Sequence, residues 1–104
     1  MKLSNTETIA NQTISETLGI ARGSTVRSRN IGRDIFASLK NIVGGEIEEY
    51  TKLQADAREQ ALKRMISDAQ RLGADAVVNV RFTTSVVAQG ASEMLAYGTA
   101  VKLM

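Results

Sequence analysis

The sequence predicts an α+β domain in which an antiparallel sheet packs on one long helix. Three features carry that prediction. Apolar and polar residues alternate toward both ends of the 104-residue chain, the middle repeats its apolar residues every three to four positions, and glycines fall at the seams. No linker, internal repeat or low-complexity stretch divides the sequence, so residues 1–104 read as one domain with one core.

Over residues 13–28 the β-favouring side chains Ile14, Leu18, Ile20 and Val26 alternate with polar ones, interrupted by Gly19 and Gly23, which suggests a bulged strand or a hairpin. A short edge strand is expected around Leu3. Asn30 is placed to cap a first helix whose apolar positions are Ile31, Ile35, Leu39 and Ile42, with Phe36 and Val43 on the same side, and Gly44-Gly45 ends it. A second helix is expected over residues 46–72. Its stripe runs Ile47, Tyr50, Leu53, Ala57, Ala61, Met65, Ala69 and Leu72, widened by Leu62 and Ile66, with Gly73 as its stop. Glu48 with Lys52 and Glu59 with Lys63 form favourable i,i+4 pairs on its solvated side. At ~1.5 Å per residue this helix would reach about 40 Å, longer than one small domain needs, so part of it is expected to touch another subunit.

A strand then follows over residues 76–87, with Ala76, Val78, Val80, Phe82 and Val86 on one face and Asn79, Arg81, Thr83 and Ser85 on the other. Gly90 marks a turn. The last strand, residues 93–104, carries Leu95, Tyr97, Val101 and Leu103 on one face and the small series Met94, Ala96, Gly98 and Ala100 on the other. Two apolar faces need two covers. Gly98 in a strand interior signals a close approach, for which Ala57 and Ala61 on the long helix offer a matching shallow surface in the same or a neighbouring subunit. The element order is β-β-α-α-β-β.

Composition narrows the chemistry. Apolar residues are 43% but aromatics only 4%, so the core must be built from aliphatics and alanine, and pairing of subunits is a common way to bury more. Cys and His are absent, which removes disulfides, the usual zinc and copper ligands, thiol nucleophiles and the imidazole base. No enzyme is predicted and no cofactor is assigned. The beginning of the chain has no apolar run resembling a signal peptide and no stretch long enough to span a membrane, so a soluble cytoplasmic protein is expected. The net charge of +2 comes from basic residues scattered among acidic ones, a poor footprint for nucleic acid.

A few polar groups remain as ligand-binding candidates: Asn30, Arg33, Asp34, Tyr50 and Arg58. Arg58 either pairs with Asp34 across the helix packing or faces an anionic ligand in a subunit cleft, the ion pair being the commoner arrangement. The acidic cluster Glu46, Glu48 and Glu49 suits a helix start better than a metal. Met65 and Met94 read as core, and no metal ligands are assigned. The glycines match no phosphate loop.

Several segments together resemble the YbjQ-like family of small bacterial proteins, labelled heavy-metal-binding. They are Asn30-Ile31-Gly32-Arg33-Asp34-Ile35-Phe36-Ala37, Ile42-Val43-Gly44-Gly45, Tyr50 with Ala57-Arg58, Leu72-Gly73-Ala74-Asp75-Ala76-Val77-Val78 and Gly98-Thr99-Ala100-Val101, and the resemblance spans about residues 13–103. It implies a dodecin-like β-β-α-α-β-β subunit assembled as a ring-shaped pentamer. Where the family carries acidic residues in the third strand this chain has Arg81 and Thr83, and Gly23-Ser24-Thr25-Val26 replaces a Gly-Glu-Ala-Ile segment. Negative charge is lost at both places. The leading expectation is therefore a non-enzymatic homo-oligomer that binds a small ligand or partner. Heavy-metal binding and weak anion or nucleic-acid binding are the rivals.

Overall fold

The structure is a computed structural model and describes residues 1–27, 48–88 and 91–104, with only the main chain considered for 48–53. The expected first helix, with its Asn30 cap and Gly44-Gly45 stop, and the turn at Gly90 lie outside the described residues. The described elements are β1 (Lys2–Leu3), β2 (Ile14–Arg27), α1 (Glu48–Arg71), β3 (Ala76–Ala88) and β4 (Ala91–Leu103). The strands form one four-stranded sheet in the order β1-β3-β4-β2. β4 runs antiparallel to both β2 and β3, whereas β1 runs parallel to β3. The sheet is thus mixed rather than antiparallel as expected.

The reason lies in the N-terminal arm. β1 sits on one edge and β2 on the other, so residues 4–13 must travel from edge to edge. They do so on the face away from α1, where Ile9 packs with Ile14 and Leu103 on buried Ala76, Val78 and Val101. Main-chain bonds from Ser4 N to Val77 O and from Asn79 N to Thr6 O fasten the arm's start, and Met104 N to Thr13 O fastens its end.

The other face carries the main core. Ala57, Ala61, Met65 and Ala69 of α1 are buried against Ala21, Val77, Met94, Ala96 and Ala100, with Leu62, Ile66 and Leu72 packed beside them. This is the predicted stripe on the predicted small strand face. Gly73 takes a positive φ of 83° and ends the helix, donating its N–H to Gln70 O.

Register shifts decide which residues face which way, two near the start of β2 and two in β3, the second of these between Val86 and Ala88. Between the pairs Val78–Thr99 and Arg81–Tyr97, β3 spends one residue more than β4, and Asn79 there has φ 55°. Asn tolerates this left-handed conformation better than most residues, and the extra residue flips the alternation. Ala76 and Val78 consequently face the arm, while Val80 packs toward α1 and Phe82 shares the register of Ala96 on that side. The single apolar face expected for Ala76, Val78, Val80, Phe82 and Val86 does not form. β2 has two similar shifts, between Ile14 and Glu16 and between Thr17 and Gly19. After them Ala21, Gly23 and Thr25 turn toward the helix, and Ile20 and Val26 turn away from it.

Gly23 shows why small residues hold this position. A Cβ added there would fall on the main chain of Met65, Ala61 and Arg64, which cannot move without moving the helix. At Gly98 the close neighbours are on β3, with Val77 Cγ1 at 2.6 Å and Val78 O at 2.9 Å from an added Cβ. The bulged strand, and not Ala57 or Ala61, supplies the approach that Gly98 accommodates.

Gly23→Ala should lower stability by about 3 kcal/mol or more, the upper end of overpacking penalties, because the obstacle is main chain. Gly98→Ala should cost less, about 1 to 2 kcal/mol, because its nearest obstacle is a valine methyl. Thermal unfolding followed by circular dichroism measures both, and the ranking is the test.

Candidate functional site

Of the residues singled out in the sequence, Asn30, Arg33 and Asp34 lie outside the described residues, as does the proposed ion pair of Asp34 with Arg58. Tyr50 lies on the first turn of α1, within Glu48–Arg71. Arg58 follows buried Ala57 on α1 and is exposed to solvent. Ala57 and Ala61 are buried under the sheet and Gly98 is buried within it.

What the structure brings together instead is a row of polar side chains on α1 along the outer edge of β2. Because β2 is an edge strand, its outward main-chain groups have no strand to pair with. Asp68 Oδ2 accepts the Arg22 N–H at 3.0 Å, and Arg64 Nη1 donates to the Ser24 carbonyl at 2.5 Å. One turn further back, Arg27 Nη2 donates to Gln60 Oε1 at 3.4 Å. Gln60, Arg64 and Asp68 are spaced by four, so the helix lays all three along one line, antiparallel to the strand. The signal was present in the sequence as a polar i,i+4,i+8 row beside the alanine stripe. Nothing in that row announced that its partner would be strand main chain.

Arg71 completes the group, with Nη2 at 2.8 Å and Nε at 3.2 Å from Asp68 Oδ1. These bonds from Arg71, and then the Arg22 amide, hold the Asp68 carboxyl below its ordinary value, outweighing the small opposing effect of burial. At the far edge of the sheet, Arg81 Nη1 donates to Asn5 O at 2.8 Å and to Val80 O at 3.0 Å. Arg81 therefore pins the N-terminal arm at a place where a carboxylate, having no proton to donate, would face the Asn5 carbonyl unfavourably.

The donor set for a heavy metal is poor. The chain has no Cys or His, and among the described residues no three Asp or Glu side chains converge. Met65 is fully buried in the core, and Met94 Sδ already accepts a hydrogen bond from Thr84 Oγ1 at 3.3 Å. Met1 and Met104 are exposed at the chain ends, so a soft metal would find isolated terminal thioethers with no thiolate or imidazole beside them, and the residues present do not fit such a centre. No described helix is long and apolar enough to cross a membrane.

Since Asp68 has a lower pKa folded than unfolded, it stabilises the protein fully above the unfolded value, and that contribution fades as pH falls through the folded one. Urea unfolding at neutral pH and again near pH 2 should therefore show that Asp68→Asn costs stability at neutral pH and little in acid. An equal cost at both would contradict the assignment.

Comparison with known proteins agrees with the family resemblance read from the sequence. A relative from Halorubrum lacusprofundi, named a UPF0145 protein, is 60% identical over 99% of both chains. UPF0145 proteins from Archaeoglobus fulgidus, 60% identical over 97% of this chain and 94% of its own, and from Photobacterium profundum, 59% identical over 94% and 95%, extend the group across archaea and bacteria. A crystal structure from Pediococcus pentosaceus, described as a protein of unknown function of the DUF74 family, shares the fold with a TM-score of 0.66. It is 15% identical and covers all of this chain and 98% of its own. The model of the YbjQ family, described as "Putative heavy-metal-binding", matches residues 1–104, and the chain belongs to that family.

Proposed function

We propose that the chain is the non-enzymatic subunit of a cytoplasmic homo-oligomer, a ring of five with dodecin-like architecture, whose assembly forms the surface that receives a small ligand or partner. The observation that carries this reading is the sheet face opposite α1. There Ile20 is 64% and Val26 56% exposed, with Leu95 and Tyr97 on the register between them. The arm that seals the other end of this face reaches only as far as Val78 and Val101. Isolated exposed apolar residues are ordinary, but several together on one sheet face mark a surface that is normally covered. In a ring the covering surface is a different part of the neighbour, as closure by rotation requires. The number five rests on the family resemblance alone.

The family's description favours metal binding as a second reading. The donors argue against it for soft metals, and acidic hard-metal ligation is not assembled by the described residues. Weak anion or nucleic-acid binding has only the net charge of +2 in its favour.

Native mass spectrometry at micromolar concentration should give a multiple of the subunit mass, and Ile20→Lys should shift it toward monomer with the circular dichroism spectrum unchanged. A monomeric wild type contradicts the proposal. Titration calorimetry with zinc or copper(I) on demetallated protein should show no stoichiometric submicromolar site, and finding one would favour the metal reading instead.

A further inference from the structure

We propose that the helix-facing side of the sheet holds a seat for a phosphoryl group, formed by the Thr25 hydroxyl, the Arg27 guanidinium and the Ser92 hydroxyl. The seat gives a chemical class to the small ligand of the reading above and rests on that reading only for there being such a ligand. It lies within one subunit and does not need the ring.

Two polar groups without partners carry the inference. Thr25 is 2% exposed and Arg27 is half-buried, and among the described residues neither the Thr25 Oγ1 nor the Arg27 Nε, both shut off from solvent, has a hydrogen-bond partner. Buried polar groups are normally paired, and a buried charge needs an acceptor more than a hydroxyl does. The bond Arg27 does make, from Nη2 to Gln60 Oε1, is long at 3.4 Å and goes to a neutral amide. It turns the arginine toward α1 and leaves its charge unmatched.

Register places the donors together. Thr25 and Arg27 stand two apart on β2, beyond its last register shift, so both face α1 and lie about 7 Å apart along the strand. Ser92 is directly opposite Arg27 on β4 and shares the face of buried Met94, which is opposite Thr25. Such cross-strand partners have Cβ atoms about 4.5 to 5.5 Å apart. Glu93, next to Ser92, faces the other way by the same alternation, and among the described residues no acidic side chain bonds to Arg27. On the far side of Met94 the Thr84 hydroxyl donates to its sulfur, a weak acceptor, so this end of the sheet has donors in excess. Thr25 closes the inner end under α1, while half-buried Arg27 and Ser92 leave the outer end reachable.

Three donors spread over two strands match a tetrahedral oxyanion, whose oxygens diverge, better than a planar carboxylate. Unlike weak anion binding driven by net charge, the match is local, and Arg27 alone supplies the charge.

Phosphate also stabilises folded proteins in general, by exclusion from their surface, so the test compares variants. Inorganic phosphate and glycerol phosphate are titrated at constant ionic strength while thermal unfolding and the Arg27 Nε–H resonance of labelled protein are followed. Wild type should gain Tm, because a ligand that binds only the folded state stabilises it, and its Arg27 signal should shift saturably. Thr25→Val removes an unpartnered hydroxyl, so it should be at least as stable without phosphate, yet bind about tenfold more weakly, and Thr25→Ser should restore binding. Arg27→Gln should keep only the general salt effect. Tighter binding of the ester than of the free ion, or the reverse, supports the seat in either case and tells the two sources apart. Variants that respond to phosphate as wild type does overturn the proposal. A marked loss of stability in phosphate-free Thr25→Val overturns it too, since the hydroxyl would then be paired within the chain. So does a wild type that responds only after Asp34→Asn or Glu46→Gln, because a carboxylate of the chain itself would then fill the seat. Native mass tests the ring and these titrations test the seat, so the two readings fail separately.

Discussion

The structure depends on how closely the main chain of α1 lies against β2 at Gly23. A helix resting on side chains of ordinary size sits well away from a sheet, but here the strand offers no Cβ at the crossing, and the buried face of the helix is mostly alanine with Met65 beside it. The layer between them is built from Ala21, Ala57, Ala61, Ala69, Ala96 and Ala100, with Met65 and Val77 as its largest fully buried side chains. Close approach raises the density of dispersion contacts even though each alanine buries little area. It also brings α1 near enough to the edge of β2 for side chains on the helix to reach strand main chain.

That reach has a structural consequence beyond stability. Asp68 and Arg64 cap the Arg22 N–H and the Ser24 carbonyl on the outer edge of β2, while among the described residues the other edge is capped only as far as the arm extends. Among the described residues the subunit is therefore asymmetric: capped at Arg22 and Ser24 on β2, paired only with β4 at the end of β3, and apolar on the face around Ile20. The thin alanine core and the uncovered surfaces belong to one pattern. A chain with 4% aromatics that packs its helix so tightly builds its core from small side chains, and the described aromatics Phe82 and Tyr97 stand toward the outside.

Much of this was legible in the sequence. The stripe through Ala57, Ala61, Met65 and Ala69, the stop at Gly73 and the small face of β4 all follow from periodicity, because burial imposes the period directly. The orientation of β2 and β3 was not legible in the same way. A bulge adds one residue and reverses every side chain after it, and a single Asn79 or an interval before Gly19 leaves no periodic trace that distinguishes it from a polar position. The parallel pairing of β1 was hidden for a different reason: two residues carry no pattern, and their partner is set by where the arm must cross. The glycine expected to receive the helix was Gly98, yet Gly23 receives it, since which of two strand glycines lies under a helix depends on sheet order. The polar candidates Asn30, Arg33, Asp34 and Tyr50 gained no structural setting from the described residues, and Arg58 is placed in solvent.

The most direct test of the account is a nuclear Overhauser measurement on isotopically labelled protein between the Gly23 α protons and the amide proton of Met65. Direct apposition of the two main chains predicts a strong cross-peak, with a companion from Gly23 to the α proton of Ala61. Absence of both, with Gly23 instead showing contacts only to its neighbours on β4, would mean that the helix stands off the sheet and that the edge of β2 is not sheathed by it.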